Sequence, residues 1–278
     1  MCNDPLLGIR IADPETGAFR IKIIGSASHV DPLLFNDNLI KIPCGQCMDC
    51  KLANARNWTI RILHECVISK KAAFLTLTYN DASLPENGSL VKRHLQLFIK
   101  RLRSRLFRDF GVLIRYYAAG EYGSLSCRPH YHLIIFGWNF PDRRLYSRGK
   151  SGYSYFRSPL VESIWNYGFS SVGDVTYNSA SYVARYVTKK IKGDIAKFYY
   201  DGVIPEFALM SRRPGIGHDF VEKFVDDVYN FDCVEFKGWK TRPPVYYDNI
   251  LAKMDPVRFC KIKEARQLHN TLSEHQNL

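Results

Sequence analysis

Three residues of this chain have the types and spacing of a small metal centre. His130 and His132 lie two apart in the run His130-Tyr131-His132-Leu133-Ile134-Ile135-Phe136. The run is rich in strand formers, and strand side chains alternate between faces. Both imidazoles therefore point one way and Tyr131 the other. A His-x-His pair alone is a common accident of strands, so a third donor matters. Glu121 closes the preceding strand-like run, Ile114-Arg115-Tyr116-Tyr117-Ala118-Ala119-Gly120-Glu121. An antiparallel hairpin across residues 122 to 129, which include Gly123 and Pro129, brings Glu121 beside His130. Two imidazoles and one carboxylate with open positions suit a divalent ion that binds a phosphate oxygen. The plainer alternative is two hydrogen-bonded histidines inside a sheet.

A second constellation lies downstream, in Ser181-Tyr182-Val183-Ala184-Arg185-Tyr186-Val187-Thr188-Lys189-Lys190. A helix is expected over about 179–192, with Asn178 able to cap its start. Ala180, Val183, Ala184, Val187 and Ile191 form one apolar stripe at about 100° per residue. Tyr182, Tyr186 and Lys189 fall roughly opposite, about 180–240° around the wheel. Other residues already supply the packing stripe, so the two tyrosines can each present a hydroxyl to one phosphate from successive turns. Tyrosine is a poor nucleophile near neutrality, with an unperturbed pKa of about 10. A metal on the phosphate and a nearby cation, here Lys189, are the expected remedies.

Cys44, Cys47 and Cys50 put three thiols on one loop and helix start. The spacing suits a structural Zn2+ or iron–sulfur site, and it is equally compatible with free thiols. A fourth ligand is not adjacent. On a straight helix Cys66 would stand about 24 Å from Cys50 and His64 about 21 Å. A fourth ligand must come from elsewhere, for example Cys2.

The elements that position these groups read as follows. Residues 1 to about 43 suggest short strands and turns, with Phe19-Arg20-Ile21-Lys22-Ile23 alternating. A helix is expected over 51–70, with Asp49 as its cap, and a strand over Phe74–Tyr79. Leu95, Phe98, Leu102 and Leu106 give an amphipathic helix over 92–110 whose Lys100, Arg101, Arg103, Arg105 and Arg108 form either a solvated face or a DNA-phosphate contact. After a Gly/Ser/Arg-rich stretch near 143–158 come a short helix at 159–167 and a strand at 172–177. The order predicts an α+β fold in which helices cover one face of a central antiparallel sheet. It divides into an N-terminal extension with the cysteine cluster (1–70), a core (71–192) and a C-terminal extension of unclear role (193–278).

The net charge of +12 over 278 residues favours an anionic partner, nucleic acid first. Hydrophobic residues at 46% allow a sizeable core. No run approaches the roughly 18 apolar residues of a membrane span, and Met1 to Arg10 lacks a signal-peptide pattern. A cytoplasmic site of action, where eight cysteines need not pair, is the expectation.

At these residues the chain resembles the HUH endonucleases, and more narrowly the replication initiators of microviruses of the gokushovirus branch. The matching pieces are Pro43 to Cys47 with Cys50, Phe74 to Asp81, Gly120 to Gly123, Arg128 to His132, Tyr182 to Lys190 and Ser211 to Gly217. The resemblance implies an HUH/RRM-like palm of about five antiparallel strands with flanking helices and the histidine strand central. It implies that Glu121, His130 and His132 hold Mg2+ or Mn2+. One tyrosine would attack origin DNA of the viral genome, leaving a 5′-phosphotyrosine and a free 3′-hydroxyl, and the second would later close the circle. Host helicase, polymerase and single-strand-binding protein in the host bacterial cytoplasm are the implied partners. Tyr79, Tyr117 and Tyr122 either stack unpaired bases or simply pack the sheet. Two rival readings remain open: a non-catalytic RRM-like nucleic-acid-binding protein, and a phosphoesterase whose metal activates water.

Overall fold

The computed structural model describes residues 2–12, 19–29, 39–149, 152, 154–189, 191, 195–236 and 238–275, with the side chains of 187–189, 236 and 270–275 outside that description. The chain divides into two compact units, 1–56 and 57–278. The first holds β1 (Leu6–Ala12), β2 (Phe19–Ser26) and β3 (Leu39–Ile42) in an antiparallel sheet of order β2-β1-β3. A long helix, α1 (Met48–Ser69), runs from the first unit into the second. Asp49 lies in its first turn and not at its cap.

The second unit is built on a sheet of order β10-β5-β6-β4-β9-β8-β7, every described pairing antiparallel. Its strands are β4 (Ala72–Tyr79), β5 (Arg115–Tyr122), β6 (Pro129–Phe136), β7 (Arg144–Arg148), β8 (Ser154–Arg157), β9 (Gly168–Gly173) and β10 (Phe207–Met210). The helices α2 (Lys92–Phe110), α3 (Pro159–Ile164), α4 (Tyr177–Lys189) and α5 (Ile195–Tyr199) intervene. The α+β class is as expected, and β6, the histidine strand, is the middle of the five strands β10 to β9. The β7–β8 hairpin extends the edge to seven. The 172–177 strand in fact lies at Gly168–Gly173, where Gly168 faces Tyr79 of β4. A Cβ on Gly168 would come within 2.4 Å of Thr78 O and Asn80 N, so only glycine permits this approach.

Helices cover both faces of the sheet rather than one. Tyr131, Leu133 and Ile135 of β6 pack with Leu95, Phe98, Leu102 and Leu106 of α2 and with Val161 and Ile164 of α3. Ile134 and Phe136 point the other way and pack with Ile62 of α1 and with Ala180, Val183 and Ala184 of α4. A strand apolar on both sides must be covered on both sides. Leu102 is fully buried, and its truncation to Ala is expected to cost about 2–5 kcal/mol. The arginines of α2 are exposed on the face of the molecule away from His130 and His132.

The remaining elements are α6 (His218–Lys223), α7 (Val225–Tyr229), β11 (Val234–Phe236), β12 (Trp239–Thr241), α8 (Val245–Met254) and α9 (Pro256–His275). They form a further core around Val221, Tyr229, Tyr247 and Leu251, closed by Ile60 of α1. Arg266 of α9 ties this core by ion pairs to Asp232 and Asp248.

Candidate active site

The β5–β6 hairpin sets Glu121 directly opposite His130, and His132 opposite Ala119. Glu121 and His132 are 2% and 6% exposed. A carboxylate so buried is costly unless it is matched. Here His130 Nε2 lies 2.6 Å and His132 Nε2 3.0 Å from the same oxygen, Glu121 Oε1. Burial opposes ionisation of Glu121, but hydrogen bonds from His130 and His132 outweigh it and bring its pKa down to about 2.

Each ring is held from its far side. His130 Nδ1 lies 3.0 Å from the Arg128 carbonyl, so Nδ1–H donates and Nε2 keeps its lone pair. His132 Nδ1 lies 3.1 Å from Thr76 Oγ1 on β4. One ligand atom from each of Glu121, His130 and His132 falls within 4.8 Å of the others. Imidazoles oriented from behind by a carbonyl and a hydroxyl, with their second nitrogens turned to a carboxylate, are the donor set and outer support of a divalent-ion site. The residues fit the ion that their types imply. Thr76 was not among the residues singled out by sequence. Its signal was available, since an alternating β4 puts Thr76 and Thr78 on one face.

Helix α4 lies over this face. Thr176 and Ser179 cap it reciprocally: Ser179 N donates to Thr176 Oγ1 at 3.2 Å, and Thr176 N to Ser179 Oγ at 2.8 Å. The cap is therefore Thr176 and not Asn178. The helix brings the Tyr182 hydroxyl to 3.5 Å from Glu121 Oε1. The Tyr182 and Tyr186 rings meet edge-on at 4.5 Å, and Tyr186 stacks on His132 at 5.5 Å.

The two tyrosines are not equivalent. Tyr182 is 44% exposed and Tyr186 only 3%. Tyr186 shares the packed layer of Ala180, Val183 and Ala184, which corrects the expectation that both tyrosines stand clear of the packing stripe. A helical wheel assumes one covered side, and α4 is covered over a wider arc. Burial pushes the Tyr182 phenol above its ordinary value; the hydrogen bond with Tyr186 opposes this in part, and Glu121 adds to it. Tyr186 is pushed up by burial, then by its hydrogen bond with Tyr182 and by Glu121, with Arg185 acting the other way. Lys189 ends the helix, and its side chain lies outside the described residues.

A cavity of about 590 Å³ opens beside the site, lined by Thr76, His132, Tyr155, Asn178 and Tyr182 among others. Tyr79 and Tyr117 are fully buried and so offer no face to a base. Tyr79 OH bonds Tyr131 OH at 2.7 Å. The Tyr122 hydroxyl is taken up by Ile204 O and Leu90 N.

Cys44, Cys47 and Cys50 sit in the first unit and are joined by Cys2. Backbone N–H groups of Cys50 and Asn3 hold the Cys47 thiol down at about 6, while burial pushes Cys50 up to about 12.

Comparison with known proteins agrees with this arrangement. The family model for the phage replication-associated protein ORF2 matches residues 72–191, which span β4 to just past α4. The chain belongs to this family of phage replication-associated proteins. It is 33% identical over 280 residues to the replication-associated protein ORF2 of Spiroplasma virus 4, covering 96% of this chain and 85% of that protein. It is 32% identical over 223 residues to the replication-associated protein VP4 of Bdellovibrio phage phiMH2K, covering 78% and 69%. It is 26% identical over 224 residues to the replication-associated protein ORF4 of Chlamydia phage 1, covering 77% and 54%. No solved structure matches the chain.

Proposed function

We propose that this chain initiates rolling-circle replication by nicking single-stranded DNA at a viral origin and later rejoining it through a tyrosine–phosphate link. The observation that carries this reading is the convergence of Tyr182 OH, His130 Nε2 and His132 Nε2 on one oxygen of the buried Glu121. Glu121, His130 and His132 would hold Mg2+ or Mn2+. Such an ion polarises a scissile phosphate, offsets the charge that builds on its oxygens and favours a phenolate beside it.

The chain's own groups do the rest. The phenol oxygen of one tyrosine attacks phosphorus. A Tyr–O–P bond to the 5′ side forms as the P–O3′ bond breaks, and the phenol proton is balanced by the proton gained by the leaving 3′ oxygen. One phosphodiester replaces another, so rejoining needs no ATP. Tyr182, the exposed tyrosine, makes the first attack. Tyr186, held against His132, serves the second transfer that closes the circle. Lys189, on the same helix, supplies positive charge to the phosphate. A free 3′-hydroxyl then primes a host polymerase, with host helicase and single-strand-binding protein opening and coating the strand. The setting is the host bacterial cytoplasm; among the described residues no helix is long and apolar enough to cross a membrane.

A non-catalytic RRM-like binder needs sheet aromatics open to bases, and the burial of Tyr79 and Tyr117 weighs against it. The test is to incubate the purified chain with labelled single-stranded DNA tiled across its own genome and Mn2+, then run a denaturing gel. Label shifted to protein size, lost in Tyr182→Phe/Tyr186→Phe and in His132→Ala, is the expected result. Cutting with no covalent species would instead favour activated water, and binding without cutting the RRM-like module.

A further inference from the structure

We propose that Cys2, Cys44, Cys47 and Cys50 bind one zinc ion as a tetrathiolate that fastens the start of the chain to the head of α1. The argument is independent of the nicking reaction. Strands β1 and β3 pair with Leu6 opposite Ile42, so the segments just before Leu6 and just after Ile42 leave the sheet side by side. That register brings Cys2 to Cys44 across 42 positions of sequence. Gly45 then turns the chain in the left-handed region, at φ +70°, which sets Cys47 beneath Cys44. Helix α1 begins at Met48, and Cys50 completes the set from its first turn.

The backbone around the thiols is arranged for sulfur that carries negative charge. Cys44 N donates to Cys2 Sγ at 3.3 Å, and Gln46 N and Cys47 N donate to Cys44 Sγ at 3.4 and 3.3 Å. All four sulfurs lie within 4.8 Å of one another, with Cys2 and Cys47 at 3.8 Å. Four thiolates about 2.3 Å from a single ion stand about 3.8 Å apart at the corners of a tetrahedron. A cluster of several irons spreads its thiolates wider, so this spacing selects one ion. None of the four is part of an apolar core and none is in a disulfide, so neither packing nor oxidation accounts for their convergence.

The test uses the full chain, purified under reducing conditions. The expected result is one zinc per chain that resists EDTA and is released by an organomercurial. Exchange for Co2+ should give the intense near-ultraviolet thiolate-to-cobalt band, which the sulfur-free Glu121-His130-His132 set cannot produce. Cys47→Ser should abolish both the band and the tightly held zinc, while Cys127→Ser/Cys260→Ser keeps them. Should Cys47→Ser fail to fold, the cobalt spectrum of the unaltered chain decides alone. Tightly bound iron instead of zinc, a disulfide among the four, or no thiolate band at saturating Co2+ would overturn the proposal.

Discussion

The molecule gathers ligand-type side chains in two places by opposite means. In the Glu121-His130-His132 set, all three groups come from one hairpin, and strand register alone brings them together. The set lies deep in a sheet covered by α4. The cysteine set draws Cys2 from the chain's start and the others from a turn and helix head, and its sulfurs are partly exposed. Hard oxygen and imidazole donors with room for a substrate suit an exchangeable ion used in chemistry. Four sulfurs closing on one point suit an ion that stays. A brief EDTA treatment is expected to abolish nicking reversibly while leaving the thiol-bound metal in place.

Changes at the hairpin site should have the largest effects. His132→Ala removes one donor and is expected to lower single-turnover nicking by about a hundredfold to a thousandfold; activity within tenfold of the unaltered chain would contradict its place in the site. Tyr182→Phe should lower first-strand nicking by a similar factor. Tyr186→Phe should leave that first nick within about tenfold and instead block rejoining, because Tyr186 is the buried member of the pair. Equal losses of the first nick in both variants would show that exposure does not rank them. Thr76→Val takes away the hydroxyl behind His132 Nδ1. It should weaken Mn2+ affinity by about tenfold to a hundredfold, seen by titrating activity, with little change in melting temperature.

The smallest effect belongs to a histidine outside both sets. His64 stacks on Phe220 and bonds Tyr247 OH through Nδ1 at 2.9 Å. Burial pushes its pKa down to about 4 from an ordinary 6.5. Below pH 6.5 the unfolded chain takes up a proton that the folded chain refuses. Stability should therefore fall as pH drops from about 6.5 to about 4, by about 3 kcal/mol at most. Denaturant melts of His64→Phe should lose that slope, and an unchanged slope would mean that other groups carry it.

How much of this was legible in sequence depends on how local the deciding interaction is. The facing of Glu121 and His130 was readable because alternation and a hairpin suffice to place them. Cys2 could be named as a candidate fourth sulfur only by excluding Cys66 and His64, since its approach depends on the β1–β3 register. The β7–β8 hairpin escaped notice because every residue of β7 is exposed, leaving no inward-outward pattern to read. Strand β9 was placed four residues late because its inward side chains begin with the buried polar Ser170, ahead of Val172. The burial of Tyr186 was hidden for the same kind of reason, as a wheel shows the helix and not the sheet against it.

The most direct test of the central claim is to map the covalent DNA adduct. Trypsin cuts after Arg185 and so separates Tyr182 from Tyr186 into different peptides. After a single nicking turnover, nuclease trimming and mass spectrometry, the account predicts a nucleotide 5′-phosphate on Tyr182, in the peptide ending at Arg185. A nucleotide only on Tyr186 would contradict the order assigned to the two tyrosines. Cleaved DNA with neither peptide modified would contradict tyrosine chemistry altogether.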